Sequence, residues 1–199
     1  NPGIHILAIF DKDKSITDLE DLLIGLGIPR DKFGYAEAMT KSSLTDQDGN
    51  YKIVRELQNA GGLVIPAHIE LEYSGLLGRI REGAAAENFL LRAGCRFLEI
   101  TSSEPPTIVS NILKGDLRRF SLLKNSDAHR LDRIGSNYTW LKLDSLSLES
   151  LKQICFEPLS RIKYDQSDPS KKAQIIGILA DGGILKDQVF AFNQDLNCI

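Results

Sequence analysis

Apolar positions along this chain fall into short unbroken runs separated by stretches of helical spacing. Residues 4–10 (Ile-His-Ile-Leu-Ala-Ile-Phe) make the first run, and its continuous apolar character predicts a buried strand covered on both faces. Ser15-Ile-Thr-Asp18 offers a helix cap ahead of an amphipathic stretch over 19–26, which stops at Gly25, Gly27 and Pro29. Residues 30–47 are polar and irregular and read as a loop or lid. Residues 48–60 return to helical spacing and end at Gly61-Gly62. Further strands are predicted over 62–68, 95–101, 120–124 and 138–143, with a last short one at 161–164. Helices are predicted over 84–93 with Gly94 as C-cap, from Pro105-Pro106 through about residue 113, and over 148–156.

Strands alternating with helical segments predict an α/β fold of βα units around a parallel sheet. Periodicity alone does not separate a closed barrel from an open doubly wound sheet. Residues 165–174 (DQSDPSKKAQ) read as a polar linker. The runs at 175–179 and 189–192, on either side of the turn-like Ala180-Asp-Gly-Gly183, read as a β-hairpin that opens a second module. The expected organisation is therefore one domain over 1–164 and a linker with hairpin over 165–199.

Composition narrows the function classes. The 199 residues suit one domain of ordinary to large size. A net charge of −3 gives no overall basic footprint, so binding to nucleic acid or membrane through bulk charge is not indicated. A local basic rim stays compatible with a nucleic-acid substrate. Cys95, Cys155 and Cys198 form no CxxC pair and are odd in number, which suggests free thiols in a reducing compartment. No apolar run approaches the roughly 18 to 20 residues of a membrane span, and no signal peptide opens the chain. A cytoplasmic protein is expected. The chain starts on Asn-Pro-Gly without Met and stops on Leu-Asn-Cys-Ile, and both ends read as cut from something longer.

The candidate chemistry rests on three histidines. His68 and the Asp127-x-His129 pair each follow directly after an apolar strand-like run, where ligands and catalytic groups converge in α/β and barrel folds. Asp-x-His can aim a carboxylate oxygen and an imidazole nitrogen at one region, a mixed donor set that Zn²⁺, Mn²⁺ or Fe²⁺ accepts. The plainer reading is a hydrogen-bonded histidine at a strand end, with Asn125-Ser126-Asp127 capping a helix that begins near Ala128. His5 sits inside an apolar run and reads first as a satisfied core histidine. Glu99, on the third predicted strand, reads either as an acid that orients a ligand histidine or as a simply paired one.

Gly62-Leu-Val-Ile-Pro-Ala-His68 and Asn125-Ser-Asp-Ala-His129 resemble the third and fourth motifs of the PHP (polymerase and histidinol phosphatase) superfamily. Gly3-Ile-His5-Ile-Leu-Ala is similar to a strand that carries another metal-binding histidine in many members. The resemblance covers about residues 3–164. It implies a distorted (β/α)7 barrel with up to three divalent metal ions (Mn, Zn or Fe) at the strand C-termini, and hydrolysis of phosphomonoesters, nucleotides or nucleic-acid phosphodiesters. Carried over, His5, His68, Asp127 and His129 are the metal ligands, Asp127 and His129 also catalytic. Arg130 and Arg133 are candidates for meeting substrate phosphate, or else solvated loop charges.

The family's first motifs, a His-x-His pair, a further acid and His, and a Glu, have no counterpart here. Either they lie upstream of Asn1, which the abrupt start favours, or the domain is a degenerate PHP barrel, only partial, that scaffolds or regulates an attached ATPase. The segment Phe190–Ile199 resembles the strand before a Walker A loop in ATPases of the structural-maintenance and ABC-like type, although no GxxxxGK[ST] is present. That combination is similar to the TrlF-type PHP–ATPase fusions and implies an ATPase module downstream in cis. No GxSxG or Cys–His pairing suggests a side-chain nucleophile. The expected function is a metal-dependent phosphoesterase or nuclease that uses a metal-activated water.

Overall fold

The computed structural model describes residues 3–35, 40, 47–80, 83–101, 109, 119–163, 174–181 and 184–191. Among them the chain is a mixed α/β structure with four two-stranded sheets. Strand β1 (Ile6–Ile9) pairs antiparallel with β2 (Leu63–Pro66), setting Ile6 opposite Pro66. Strand β3 (Phe97–Ile100) pairs parallel with β4 (Ser121–Lys124), setting Phe97 opposite Ser121. The chain leaving β2 is tied to β3 by Ile69 N donating to Glu99 O at 2.9 Å. Strands β5 (Trp140–Leu141) and β6 (Ile162–Lys163) form a short antiparallel pair. Strands β7 (Gln174–Asp181) and β8 (Ile184–Ala191) form the hairpin expected at the C-terminal end.

The helices are α1 (Ile16–Gly25), α2 (Gln47–Asn59), α3 (Leu76–Arg79), α4 (Gly83–Ala93), α5 (Leu148–Gln153) and α6 (Pro158–Arg161). Helix α1 starts as its sequence asks. The Ser15 hydroxyl accepts from Asp18 N at 3.1 Å, and the Asp18 carboxylate accepts from Ser15 N at 3.3 Å, a reciprocal capping box. Helix α4 ends at Gly94, whose φ of +68° is the left-handed C-cap conformation that glycine takes without a Cβ clash.

Side chains on a strand alternate between its faces, and β2, β3 and β4 bury both. Val64, Leu98, Ile100 and Leu122 pack on one side with Val54 and Leu57 of α2 and Leu90 and Ala93 of α4. Ile65, Phe97 and Leu123 pack on the other side with Ile154, flanked by Leu141, Leu151 and Ile162. Two-faced burial explains why these three runs are apolar without a break.

Two expectations are corrected. The first run is not covered on both faces: Ile6 and Ala8 pack against the core, whereas Leu7 and Ile9 are 42% and 40% exposed. The sheet expected to be parallel is so only between β3 and β4, because β1 enters against β2. A hydrophobic run encodes burial but not strand direction, so the pattern held no sign of that reversal. No closed barrel forms among the described residues.

The expected helix beyond Pro105, the linker up to residue 173, most of the loop over 30–47 and residues 192–199 lie outside the described residues. Among those described, no helix is long and apolar enough to cross a membrane.

Candidate metal centre

The reversal of β1 creates the principal polar cluster. Antiparallel pairing lays the N-terminal end of β1 beside the C-terminal end of β2. His5, just ahead of β1, therefore meets His68, just beyond β2. Ala67 N donates to His5 O at 3.1 Å, and His5 N donates to Ser74 O at 3.1 Å. With the backbones so fixed, His5 Nδ1 lies 2.9 Å from His68 Nε2, the ring planes 65° apart. His68 is buried. His5 is exposed and precedes the strand rather than lying inside it, contrary to the core histidine read from its apolar surroundings.

His68 and Asp127 share a backbone feature that no sequence pattern announced. Their φ angles are +31° and +46°, and among the described residues no other non-glycine has a positive φ. Left-handed backbone is uncommon for L-residues and persists where neighbouring structure holds it in place. Here the holding groups are visible. Glu99, buried on β3, accepts from His68 N through Oε2 at 3.2 Å and from Asn125 Nδ2 through Oε1 at 3.0 Å. One carboxylate thus fastens the segment after β2 to the segment after β4. It holds the backbone of His68, not the imidazole. Asn125 N also donates to Ile100 O at 3.0 Å, which carries the β3–β4 ladder one step beyond the strand.

Beyond Asn125 the chain brings Asp127 Oδ1 to 3.5 Å from His129 Nε2, the aspartate side chain 33% exposed and the histidine 84%. No helix starts at Ala128. The segment instead continues to a 3₁₀ turn, Leu131–Arg133, so Asp127 is not the helix cap of the plainer reading. Partial desolvation of the ring where it meets the protein, and after it the neighbouring His68, hold the His5 pKa below its ordinary 6.5; Asp127 acts upward and His129 downward. His5 therefore lies within electrostatic reach of each of the other three candidate ligands. Arg130 is exposed and pairs through Nε with Asp132 Oδ1 at 3.1 Å. Arg133 is exposed at the end of the 3₁₀ turn. Among the described residues no contact joins either arginine to the histidine pair.

Two ligand nitrogens bound to one tetrahedral Zn²⁺ at about 2.0–2.1 Å each would stand roughly 3.3 Å apart, and roughly 2.9 Å apart at a right-angled site. The His5–His68 separation of 2.9 Å is that of a hydrogen bond between the rings, and it and the Asp127–His129 separation of 3.5 Å are also compatible with donors that flank an ion. Among the described residues, no three His, Cys, Asp or Glu side chains close into one metal-holding group; the donors stand as two pairs.

Three supporting residues went unnoticed in the sequence. Ser74 Oγ lies 3.4 Å from His68 Nδ1, the nitrogen that faces away from His5. Glu70 Oε1 accepts from both Thr101 N and Thr101 Oγ1, which links the ends of β2 and β3. Thr139 Oγ1 accepts from Lys124 N at 2.6 Å and donates to Lys124 O at 3.0 Å, bracing the end of β4. Glu70 stands two residues after His68 and carried a usable signal; Ser74 and Thr139 are common loop residues whose roles depend on the fold. Comparison of the chain with protein-family models, with curated proteins and with solved structures gives no match.

Proposed function

We propose that this chain is part of a PHP-type metal-dependent phosphoesterase or nuclease, with His5, His68, Asp127 and His129 as ligands to divalent Mn, Zn or Fe. The observation that carries the reading is the imidazole pair: His5 and His68 arrive from opposite strand ends, 63 residues apart, with two ring nitrogens at 2.9 Å. Ser74 Oγ beside His68 Nδ1 suits a ring whose Nδ1–H is held from behind while Nε2 faces His5 Nδ1 at the proposed metal position. Bound metal would lower the pKa of a coordinated water and polarise phosphoryl oxygens. Around it, Asp127 offers an acceptor to an entering water, His129 an exposed imidazole, and Arg130 and Arg133 charges for the substrate phosphate. In this reading the described strands belong to a partial, distorted (β/α)7 barrel over 1–164. The hairpin over 165–199 leads toward an ATPase module in cis, as in the TrlF-type fusions, in a cytoplasmic protein.

Elemental analysis and calorimetric titration with Mn²⁺ or Zn²⁺ test the reading, together with turnover of an artificial phosphodiester. Bound metal is expected, with affinity reduced by more than about tenfold in His68→Ala and Asp127→Ala. Protein that carries no Mn, Fe or Zn, and gains no activity when they are added, would sink it. A second reading is a scaffold whose histidines are structural. It is favoured by the same pair, since both ring nitrogens of His68 already have neighbours within the protein. On that reading His68→Ala lowers stability and leaves metal binding unchanged.

A further inference from the structure

The opposite ends of the same strands carry a separate polar feature. A cleft of about 250 Å³ opens where β2 and β3 begin, and its walls include Gln58, Gly94, Arg96, Phe97, Lys152 and Cys155. The two charged groups are both cations, and among the described residues no carboxylate lines it. Elsewhere in this acidic chain Arg30, Arg119, Arg130 and Arg161 each pair with an acid. Among the described residues Arg96 and Lys152 do not. Arg96 Nη1 donates to Arg119 O at 3.3 Å, and Lys152 Nζ donates to Gly61 O at 3.0 Å. Each side chain meets a neutral carbonyl, and among the described residues no acid pairs with its charge.

The rest of the lining is uncharged and partly apolar. The Gln58 amide is held by Ala93 O and Gly94 O at 3.3 and 3.4 Å, and Phe97 is almost fully buried at the base. A guanidinium fork and an ammonium point charge are complementary ways of holding an oxyanion, the first by geometry and the second by charge. The volume falls below the roughly 300–1,000 Å³ of pockets that take drug-sized ligands, so the occupant is small. We propose that this cleft binds a small phosphate-bearing anion, with Arg96 and Lys152 as its two cationic contacts. The site is independent of the histidine centre, which lies at the other end of the strands.

Cys155 is a local reporter. It lines the same cleft with its Sγ donating to Lys152 O at 3.0 Å. Cys95 is buried, with its thiol pKa pushed up to about 12, and serves as an inert reference. The experiment follows iodoacetamide modification of Cys155 by peptide mass mapping, with inorganic phosphate as the probe and chloride at matched ionic strength as the control. Millimolar phosphate is expected to slow Cys155 modification several-fold, chloride not at all. Protection should vanish in Arg96→Gln/Lys152→Gln and persist in His68→Ala. Should the double variant unfold, Arg96→Gln alone keeps the Lys152–Gly61 bond and must lose most of the protection. Equal rates with and without phosphate, or protection that survives removal of the cations, overturn the proposal.

Discussion

Glu99 uses each of its oxygens on a different segment, one on the His68 backbone and one on the Asn125 amide. Glu99→Gln replaces one acceptor by a donor, and His68 N or Asn125 Nδ2 must then face an N–H group. A buried donor left without a partner costs about 1–3 kcal/mol. Urea unfolding should register a loss of that size, and metal affinity should fall with it if the histidine centre binds an ion. A second expectation concerns protons. The folded pKa of His5 lies below 6.5, so the unfolded chain binds more protons as pH falls through that range. Stability from neutral His5 is complete above about pH 6.5 and is lost as pH drops through the lowered value. An NMR titration should show the His5 ring titrating below the ordinary histidine range. A midpoint at or above 6.5 would contradict this.

At the scale of elements, the turn between β2 and α3 is the most tightly built. A Cβ added at Gly75 would stand 2.5–2.6 Å from the carbonyl oxygens of His68, Ile69 and Leu71. All three are backbone atoms, which cannot rotate aside as a side chain would. Gly75→Ala should therefore destabilise by about 1–3 kcal/mol, the range for forced overpacking. It should also disturb the His5–His68 pair, since Gly75 follows the Ser74 carbonyl that holds His5. Thermal unfolding and the histidine ring resonances read both effects.

The sequence made most elements legible at this scale. The Ser15–Asp18 box, the Gly94 cap, the apolar runs of β2, β3 and β4 and the C-terminal hairpin all stand where local chemistry asked for them. What it concealed was relational. The run at 138–143 yields only Trp140–Leu141 as strand, because strand length depends on a partner and not on apolarity. The direction of β1, the left-handed turns at His68 and Asp127 and the service of Ser74 and Thr139 all arise from segments distant in the chain. For the candidate site, the sequence offered four candidate ligands through the family resemblance, whereas their arrangement as two pairs could not be read from it.

In the whole molecule, burial on both faces of β2, β3 and β4 makes these strands the mechanical centre. Leu98 is fully buried on the side of α2 and α4, and Leu98→Ala should cost about 2–5 kcal/mol through lost burial and a residual cavity. Leu159, 71% exposed, should change stability by less than about 0.5 kcal/mol when cut to alanine. A comparable loss from both substitutions, measured by chemical denaturation, would show that the two-faced packing is not what holds the domain together.

The direction of β1 also decides which changes in chain length the histidine pair tolerates. His5 precedes its strand and His68 follows its own, so their meeting depends on where β1 sits along β2, as two rulers laid head to tail agree at a single mark. Lengthening a loop of the connection between them, outside α1 and α2, leaves the mark in place, since doubling a flexible loop adds only about 0.6 kcal/mol of closure cost. Inserting one residue between His5 and Ile9 is another matter. It would shift the alternation by one step and exchange the faces of the strand, parting the two imidazoles while most of the apolar core survived. The centre is therefore tolerant of insertion in the loops between its first two histidines and intolerant of it within β1 and β2, the two strands that set the register.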